Sequence, residues 1–231
     1  TSSKAKRGET YNNYIGGQWL PCQSGRTYTI TSPAQKQMVL GNFQYSGIID
    51  MDSAAKAARH ALHGWSSTPA PQRAEVLFRA YNILKERGDS IARTLTMEEG
   101  KIIGEARTEV SRAVQTMTLS AEEAKRLSGE TIPLDGAPSW TGQFGFTIRV
   151  PCGVVVAISP FNFPLNLVCH KVGPALAAGN SVVIKPATDT PLVALKLTEV
   201  LLDAGVPAEA IQCITGPGGS IGDALVADSR V

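Results

Sequence analysis

Residues 151–190 read PCGVVVAISPFNFPLNLVCHKVGPALAAGNSVVIKPATDT. The apolar run Val154-Val155-Val156-Ala157-Ile158 has the length and composition of a strand buried on both faces. Ser159-Pro160 ends it, and Phe161-Asn162-Phe163-Pro164 makes a turn. A helical pattern then runs from Leu165 to about Ala178 and stops at Gly179-Asn180, residues that tolerate positive φ. Ser181-Val182-Val183-Ile184 is a second apolar strand, ending in Lys185-Pro186. Strand, helix, strand is one βαβ unit with parallel neighbouring strands and a right-handed crossover. Ligands of such sheets sit beyond the carboxyl ends of the strands. Asn162 and Lys185 both lie there, an amide and a cation suited to an oxyanion and a cofactor.

Downstream, Thr188 or Asp189 is placed to cap a helix with Leu192, Leu195, Val200 and Leu201 on its apolar positions and Gly205 at its end. Ile211-Gln212-Cys213-Ile214 is a further short strand. It runs into Gly216-Pro217-Gly218-Gly219-Ser220-Ile221-Gly222 and a helical pattern through Ala227. A strand, a glycine turn and a helix form a phosphate cradle, because glycine admits close backbone approach and the helix N-terminus favours negative charge. The spacing is GxGxxxG rather than GxGxxG; standing alone it better suits a plain tight turn, and its place after two βαβ units is what favours the cradle.

Upstream, Gly16-Gly17 and Ser24-Gly25 punctuate short extended pieces, and strands are expected at Tyr28–Ile30 and Met38–Leu40. Asp50 or Asp52 can cap a helix through Leu62. Val76, Leu77, Ala80, Ile83 and Leu84 mark the buried face of a second helix. Asp89 caps a third, ending near Gly100, and a long fourth fits Ile102 to Leu127 with its Glu and Arg residues on the wet side. Between Gly129 and Val150, Phe144, Phe146, Ile148 and Val150 fall at period two. That alternation reads as a half-buried strand, paired with Glu130–Ile132 or with another subunit.

The chain has 231 residues, 43% hydrophobic and 18% charged, with a net charge of +2, so nothing points to nucleic acid or an anionic membrane. Lys4, Lys6 and Arg7 belong to a short polar leader. No apolar run approaches a signal h-region or a membrane span. The four cysteines, Cys22, Cys152, Cys169 and Cys213, are scattered without a CxxC pair, which suits a reducing, cytoplasmic setting. His60, His63 and His170 make no metal-ligand set with them.

Taken together, Ser159-Pro-Phe-Asn-Phe-Pro164, Gly173-Pro-Ala-Leu-Ala-Ala-Gly-Asn180, Ile184-Lys-Pro-Ala187 and Gly216-x-Gly218-x-x-x-Gly222 resemble the aldehyde dehydrogenase superfamily, and Glu99-Gly100-Lys101 resembles a further motif of it. The resemblance implies an α/β fold, a Rossmann-like parallel sheet with helices on both faces, an N-terminal helical cover and a β oligomerisation arm. The implied division is 1–128 for N-terminal strands and helices, 129–150 for the arm, and 151–231 for the cofactor core. It implies NAD or NADP, held by Ile158, Ser159, Pro160, Phe161, Asn162, Lys185, Ala187, Thr188, Gly218 and Gly222. It implies a homodimer or homotetramer and a small aldehyde substrate, which a cysteine thiolate attacks to give a thiohemiacetal and then a thioester. Asn162 is matched to the amide that donates to the oxyanion.

The cysteine nucleophile and the glutamate base of the family lie in segments beyond this chain, and each of its own four cysteines reads as structural. The chain alone is therefore expected to lack aldehyde oxidation. Two other readings stay open: a non-catalytic nucleotide-binding or assembly module, and a CoA-acylating or phosphate-linked member of the superfamily. Thr188 departs from NAD-using relatives that carry glutamate there, and a neutral residue favours NADP. Asn162 and Thr188 each have a plain alternative as helix N-caps, Lys185 as a surface residue, and Pro160 and Phe161 as core packing. Asn166 and His170 are similar to residues of enzymes acting on small hydroxylated or phosphorylated aldehydes.

Overall fold

The structure, a computed structural model, describes residues 8–231; Lys4, Lys6 and Arg7 lie outside the described residues. In chain order come β1 Thr10–Tyr11, β2 Asn13–Ile15, β3 Gln18–Leu20, β4 Thr27–Thr31 and β5 Val39–Gln44. Four helices follow: α1 Ile48–Ser66, α2 Ala70–Glu86, α3 Gly88–Glu99 and α4 Ile103–Glu123. A hairpin of β6 Thr131–Pro133 and β7 Phe144–Phe146 leads into β8 Val154–Ile158, α5 Asn166–Ala177, β9 Ser181–Lys185, α6 Pro191–Asp203, β10 Ile211–Cys213 and α7 Gly218–Ala227.

The main sheet has the order β3-β2-β10-β9-β8. β8, β9 and β10 are parallel, with Val154 opposite Ser181 and Ile211 opposite Val182. The extended pieces around Gly16-Gly17 form the antiparallel β2–β3 hairpin, which adds two strands to this sheet through the Tyr14–Cys213 pair. The N-terminal region is thus sheet as well as helical cover. A second sheet, β1-β5-β4, lies beside it.

Alternation along the parallel strands explains the layers. Val154, Val183 and Ile214 point to one face, where Met51, Ala54 and Ala58 of α1 and Ile221 and Leu225 of α7 cover them. Ala157, Val182, Ile184 and Ile211 point to the other, into a core shared with α5, α6 and the α2–α4 layer. All five residues of β9 are buried. Each of its aliphatic side chains contributes about 1.5–3 kcal/mol by leaving water.

Several helix ends differ from the sequence expectation. Gly47, not an aspartate, is the N-cap of α1; Asp50 sits at N3 and accepts from the Gly47 and Gln23 amides, 2.8 Å each. The N-cap of α3 is Arg87, and Asp89 instead pairs with Arg93 and Arg107. The N-cap of α6 is Thr190, so neither Thr188 nor Asp189 caps it. Its first free amides, of Leu192 and Val193, donate to the two carboxylate oxygens of Glu98 at 2.5 and 3.0 Å. Glu98 shares the buried face of α3 with Ile91 and Leu95. In the hairpin, β7 does pair with β6, but Phe144 and Phe146 are exposed and Ile148 and Val150 lie outside the strand, also exposed. The period-two pattern marks a strand apolar on its surface, not one half-covered by its own chain.

Burial pushes the Glu98 carboxyl up to about 8 from its ordinary 4.5, against the pull of the two amides and of Lys196. Such a group keeps its proton in the folded chain at pH values where the unfolded chain has lost it. Its linkage therefore lowers stability as pH rises from 4.5 to about 8 and adds no slope beyond. Glu98→Gln is expected to remove this component, at most about 1.4 kcal/mol per pH unit. Urea unfolding of both proteins at the two ends of that window measures it; parallel pH profiles would contradict it.

Candidate functional site at the carboxyl edge of the sheet

Because β8, β9 and β10 are parallel, the segments that leave them emerge on one edge. Ile158 lies opposite Lys185, and Ile184 opposite Cys213. The expected residues Ile158, Ser159, Lys185, Ala187, Thr188 and the glycine turn are thereby brought to one side of the fold.

Lys185 is 3% exposed, so it is not a surface lysine. Its Nζ donates to the Pro186 carbonyl at 2.9 Å, and burial holds its ammonium below the ordinary lysine range. Beside it, the Ser159 amide donates to the Lys185 carbonyl at 3.2 Å, while the buried Ser159 Oγ has no partner. Buried polar atoms are seldom left unpaired, and one facing a strand end is suited to an incoming ligand. Thr188 Oγ1 donates to the Gly216 carbonyl at 3.5 Å, tying the loop after β9 to the glycine turn. Gly216 has φ +146, and an added Cβ would lie 3.1 Å from the Ser46 amide nitrogen; the turn requires glycine there. At Gly218 and Gly222 an added Cβ would meet nothing within 4 Å, so the start of α7 faces open space. The Ser220 amide donates to the Pro217 carbonyl at 3.1 Å, and those of Gly218 and Gly219 make no hydrogen bond among the described residues.

Between β8 and α5, Pro160, Phe161, Asn162 and Phe163 are exposed. Pro160 and Phe161 therefore do not pack in the core. Asn162 does not cap α5, whose N-cap is Leu165. The amides of Leu165 and Asn166 both donate to Glu109 Oε1, at 2.9 and 3.0 Å. Glu109 is on α4 with no exposed surface, so it is not on the wet side of that helix. Its Oε2 pairs with Lys101 Nζ at 2.6 Å, and the same Nζ donates to the Asn162 carbonyl at 3.0 Å. Removing one member of so buried a pair costs about 3–5 kcal/mol. The Asn162 side-chain amide makes no hydrogen bond among the described residues and is free to donate outward.

Sequence reasoning missed Glu98 and Glu109 as working residues. The available signal was a carboxylate set at helical spacing within an apolar stripe: Ile91, Leu95, Glu98, and Ala106, Glu109, Ala113. Asn166 is buried with its Oδ1 accepting from Thr116 Oγ1 at 3.0 Å, so it does not face a substrate, whereas His170 is exposed. Cys169 and Cys213 are buried and their thiols are pushed up, Cys213 to about 12, away from thiolate character. The buried Cys22 donates to the Arg26 carbonyl at 3.1 Å, and the exposed Cys152 to Asn180 Oδ1 at 3.2 Å. Among the described residues no group of three His, Cys, Asp or Glu could hold a metal ion.

Residues 19–231 match the sequence profile of the aldehyde dehydrogenase family. The chain belongs to that family. Among curated aldehyde dehydrogenases, the 3-sulfolactaldehyde dehydrogenase of Priestia aryabhattai is 43% identical over 227 residues, 96% of this chain and 45% of its own length. The NADP(+) succinate-semialdehyde dehydrogenase GabD of Escherichia coli K12 is 39% identical over 94% of this chain and 44% of its own. Among solved members, the NADP-dependent glyceraldehyde-3-phosphate dehydrogenase of Bacillus halodurans C-125, complexed with NADP, superposes with a TM-score of 0.90 at 36% identity, covering 96% of this chain and 47% of that one. The chain thus spans less than half the length of these aldehyde dehydrogenases.

Proposed function

We propose that this chain is the dinucleotide-binding portion of an NAD(P)-dependent enzyme that oxidises a small aldehyde to its carboxylic acid. The observation that carries the reading is the juxtaposition at one sheet edge of an unengaged Asn162 amide, a buried Lys185, an unpartnered Ser159 hydroxyl and an open glycine turn. When bound there, the dinucleotide supplies a hydride acceptor. Gly218, Gly222 and the start of α7 receive its phosphates, and Lys185 with Ala187 and Thr188 receives the adenosine ribose. Ile158, Ser159, Pro160 and Phe161 line the approach to its nicotinamide end. Asn162 donates its side-chain N–H to the oxygen of the reacting aldehyde as negative charge develops. A donor held ready for that charge typically contributes about 2.7–4 kcal/mol.

The substrate is proposed to be a small aldehyde carrying a hydroxyl or acid group. The names of the three relatives, for sulfolactaldehyde, succinate semialdehyde and glyceraldehyde 3-phosphate, support this. Cytoplasmic residence is proposed from the four free cysteines; no helix of the described residues is long and apolar enough to cross a membrane. Asn162→Ala in the full-length enzyme is expected to lower kcat about 100- to 1,000-fold while leaving the aldehyde KM within a few fold. Steady-state kinetics checks this, and an unchanged kcat removes Asn162 from the chemistry.

Thr188 carries the cofactor preference. A glutamate there would repel a 2′-phosphate, whereas threonine beside a buried lysine leaves room for one. NADP is expected to serve at least as well as NAD. Charge-assisted hydrogen bonds of roughly 1.5–3 kcal/mol make the difference measurable as about ten- to a hundredfold in affinity. Thr188→Glu should shift the ratio of kcat/KM values toward NAD; rejection of NADP by the wild type would end this reading.

The hairpin from 129 to 150 is proposed to serve assembly into a homodimer or homotetramer. It exposes Ile132, Trp140, Phe144, Phe146, Ile148 and Val150 together, more apolar surface than a lone monomer comfortably presents. Replacing Phe144 and Phe146 with Asp should lower the assembled mass in multi-angle light scattering; a wild-type protein already monomeric at high concentration would refute the assignment.

A further inference from the structure

The turn that presents Asn162 is held from behind by charges that come from neither β8 nor α5. Lys101 follows α3, and its side chain is 7% exposed. Its ammonium reaches Glu109 Oε2 at 2.6 Å and the Asn162 carbonyl at 3.0 Å, with Glu99 Oε2 at 3.7 Å. It also stands 4.5 Å from the centre of the Phe163 ring. Glu109 spends its other oxygen on the Leu165 and Asn166 amides at 2.9 and 3.0 Å. The segment between β8 and α5 is therefore gripped at both ends. A cation holds the carbonyl of Asn162, and an anion holds the first amides of the helix that follows. The two grips are joined by the ion pair itself, so neither can shift without the other.

Backbone held in this way restricts where the Asn162 side chain can point. An exposed Phe-Asn-Phe-Pro turn without the clamp would sample several positions. A hydrogen-bond donor to a developing charge helps only if it is already in place, because reorganising it during the reaction consumes the gain. We propose that Lys101 and Glu109 are positioning residues for the Asn162 amide: the ion pair sets the register of the turn so that the donor is preorganised. This rests on the oxyanion role assigned to Asn162 above. It adds that part of the enzyme's rate resides in two residues of the α3–α4 layer that do not touch the reacting atoms.

The test uses the full-length enzyme and combines single and double substitutions. Lys101→Met is expected to lower kcat about 10- to 100-fold, the cost of a donor displaced by about an ångström, with the dinucleotide KM moved less than about threefold. Lys101→Arg, which can still donate to both Glu109 and the Asn162 carbonyl, should recover most of that loss. In an Asn162→Ala background, Lys101→Met should cost less than about a further twofold, because the group it positions is gone. Glu109→Gln keeps the volume and an acceptor for the amides; it should lower kcat as well and speed hydrogen exchange in a peptide spanning 160–168. If Lys101→Met does not fold, Glu109→Gln carries the same comparison with Asn162→Ala. An unchanged kcat in Lys101→Met and Glu109→Gln overturns the proposal, as does a loss equally large with and without Asn162, the mark of a merely structural pair. A full effect of Asn162→Ala with none from Lys101 or Glu109 leaves the oxyanion reading standing and removes only the positioning role. An unchanged kcat in Asn162→Ala removes both.

Discussion

The two crossover helices of the sheet begin inside the protein, so their first amides must find acceptors without water. Glu98 closes α6 and Glu109 closes α5, each with one carboxyl group placed on two successive amides. Both acids come from the α3–α4 layer rather than from the loops they stabilise. This requirement fixes how the helical layer sits on the sheet. It also delivers Lys101 to the turn that carries Asn162. The carboxyl edge of the sheet is thus shaped from behind by groups whose first duty is to satisfy backbone.

Much of this architecture is legible in the chain. Val154–Ile158 and Ser181–Ile184 have the unbroken apolar character of strands covered on both faces, and the turn residues between them mark where the helix starts and stops. The candidate site inherits that legibility, because residues just beyond parallel strand ends gather on one edge whatever their side chains. What stays hidden is closure over distance. An N-cap is a local signal when the cap is the preceding residue. Here the acceptors lie 94 positions away for Leu192 and 56 for Leu165. Thr188, Asp189 and Asn162 look like caps because nothing nearby announces these acceptors. Lys185 misleads in the opposite way: its type suggests surface, while its place at the end of β9, a strand buried along its whole length, leaves it 3% exposed.

The apolar hairpin shows a different limit. Period-two alternation tells which residues share a face of a strand, but not whether anything covers that face. The pattern at Phe144–Val150 is the same whether the covering surface is this chain's core or another copy's. The alternation by itself therefore names the shared face and not its cover.

Gly100, between the two capping acids, has φ +92, and an added Cβ there would lie 2.8 Å from Pro33. It turns the chain sharply between Glu98, the acceptor at the entrance to α6, and Lys101, the donor at the entrance to α5. This short reversal acts as a ruler between the mouths of two helices. Ordinary surface loops accept added residues at little thermodynamic cost. This one has no such freedom: a single extra residue between Glu98 and Lys101 would move one anchor relative to the other and leave a buried charge or pair of amides without its partner. Length, more than composition, is the property of this loop that the fold constrains.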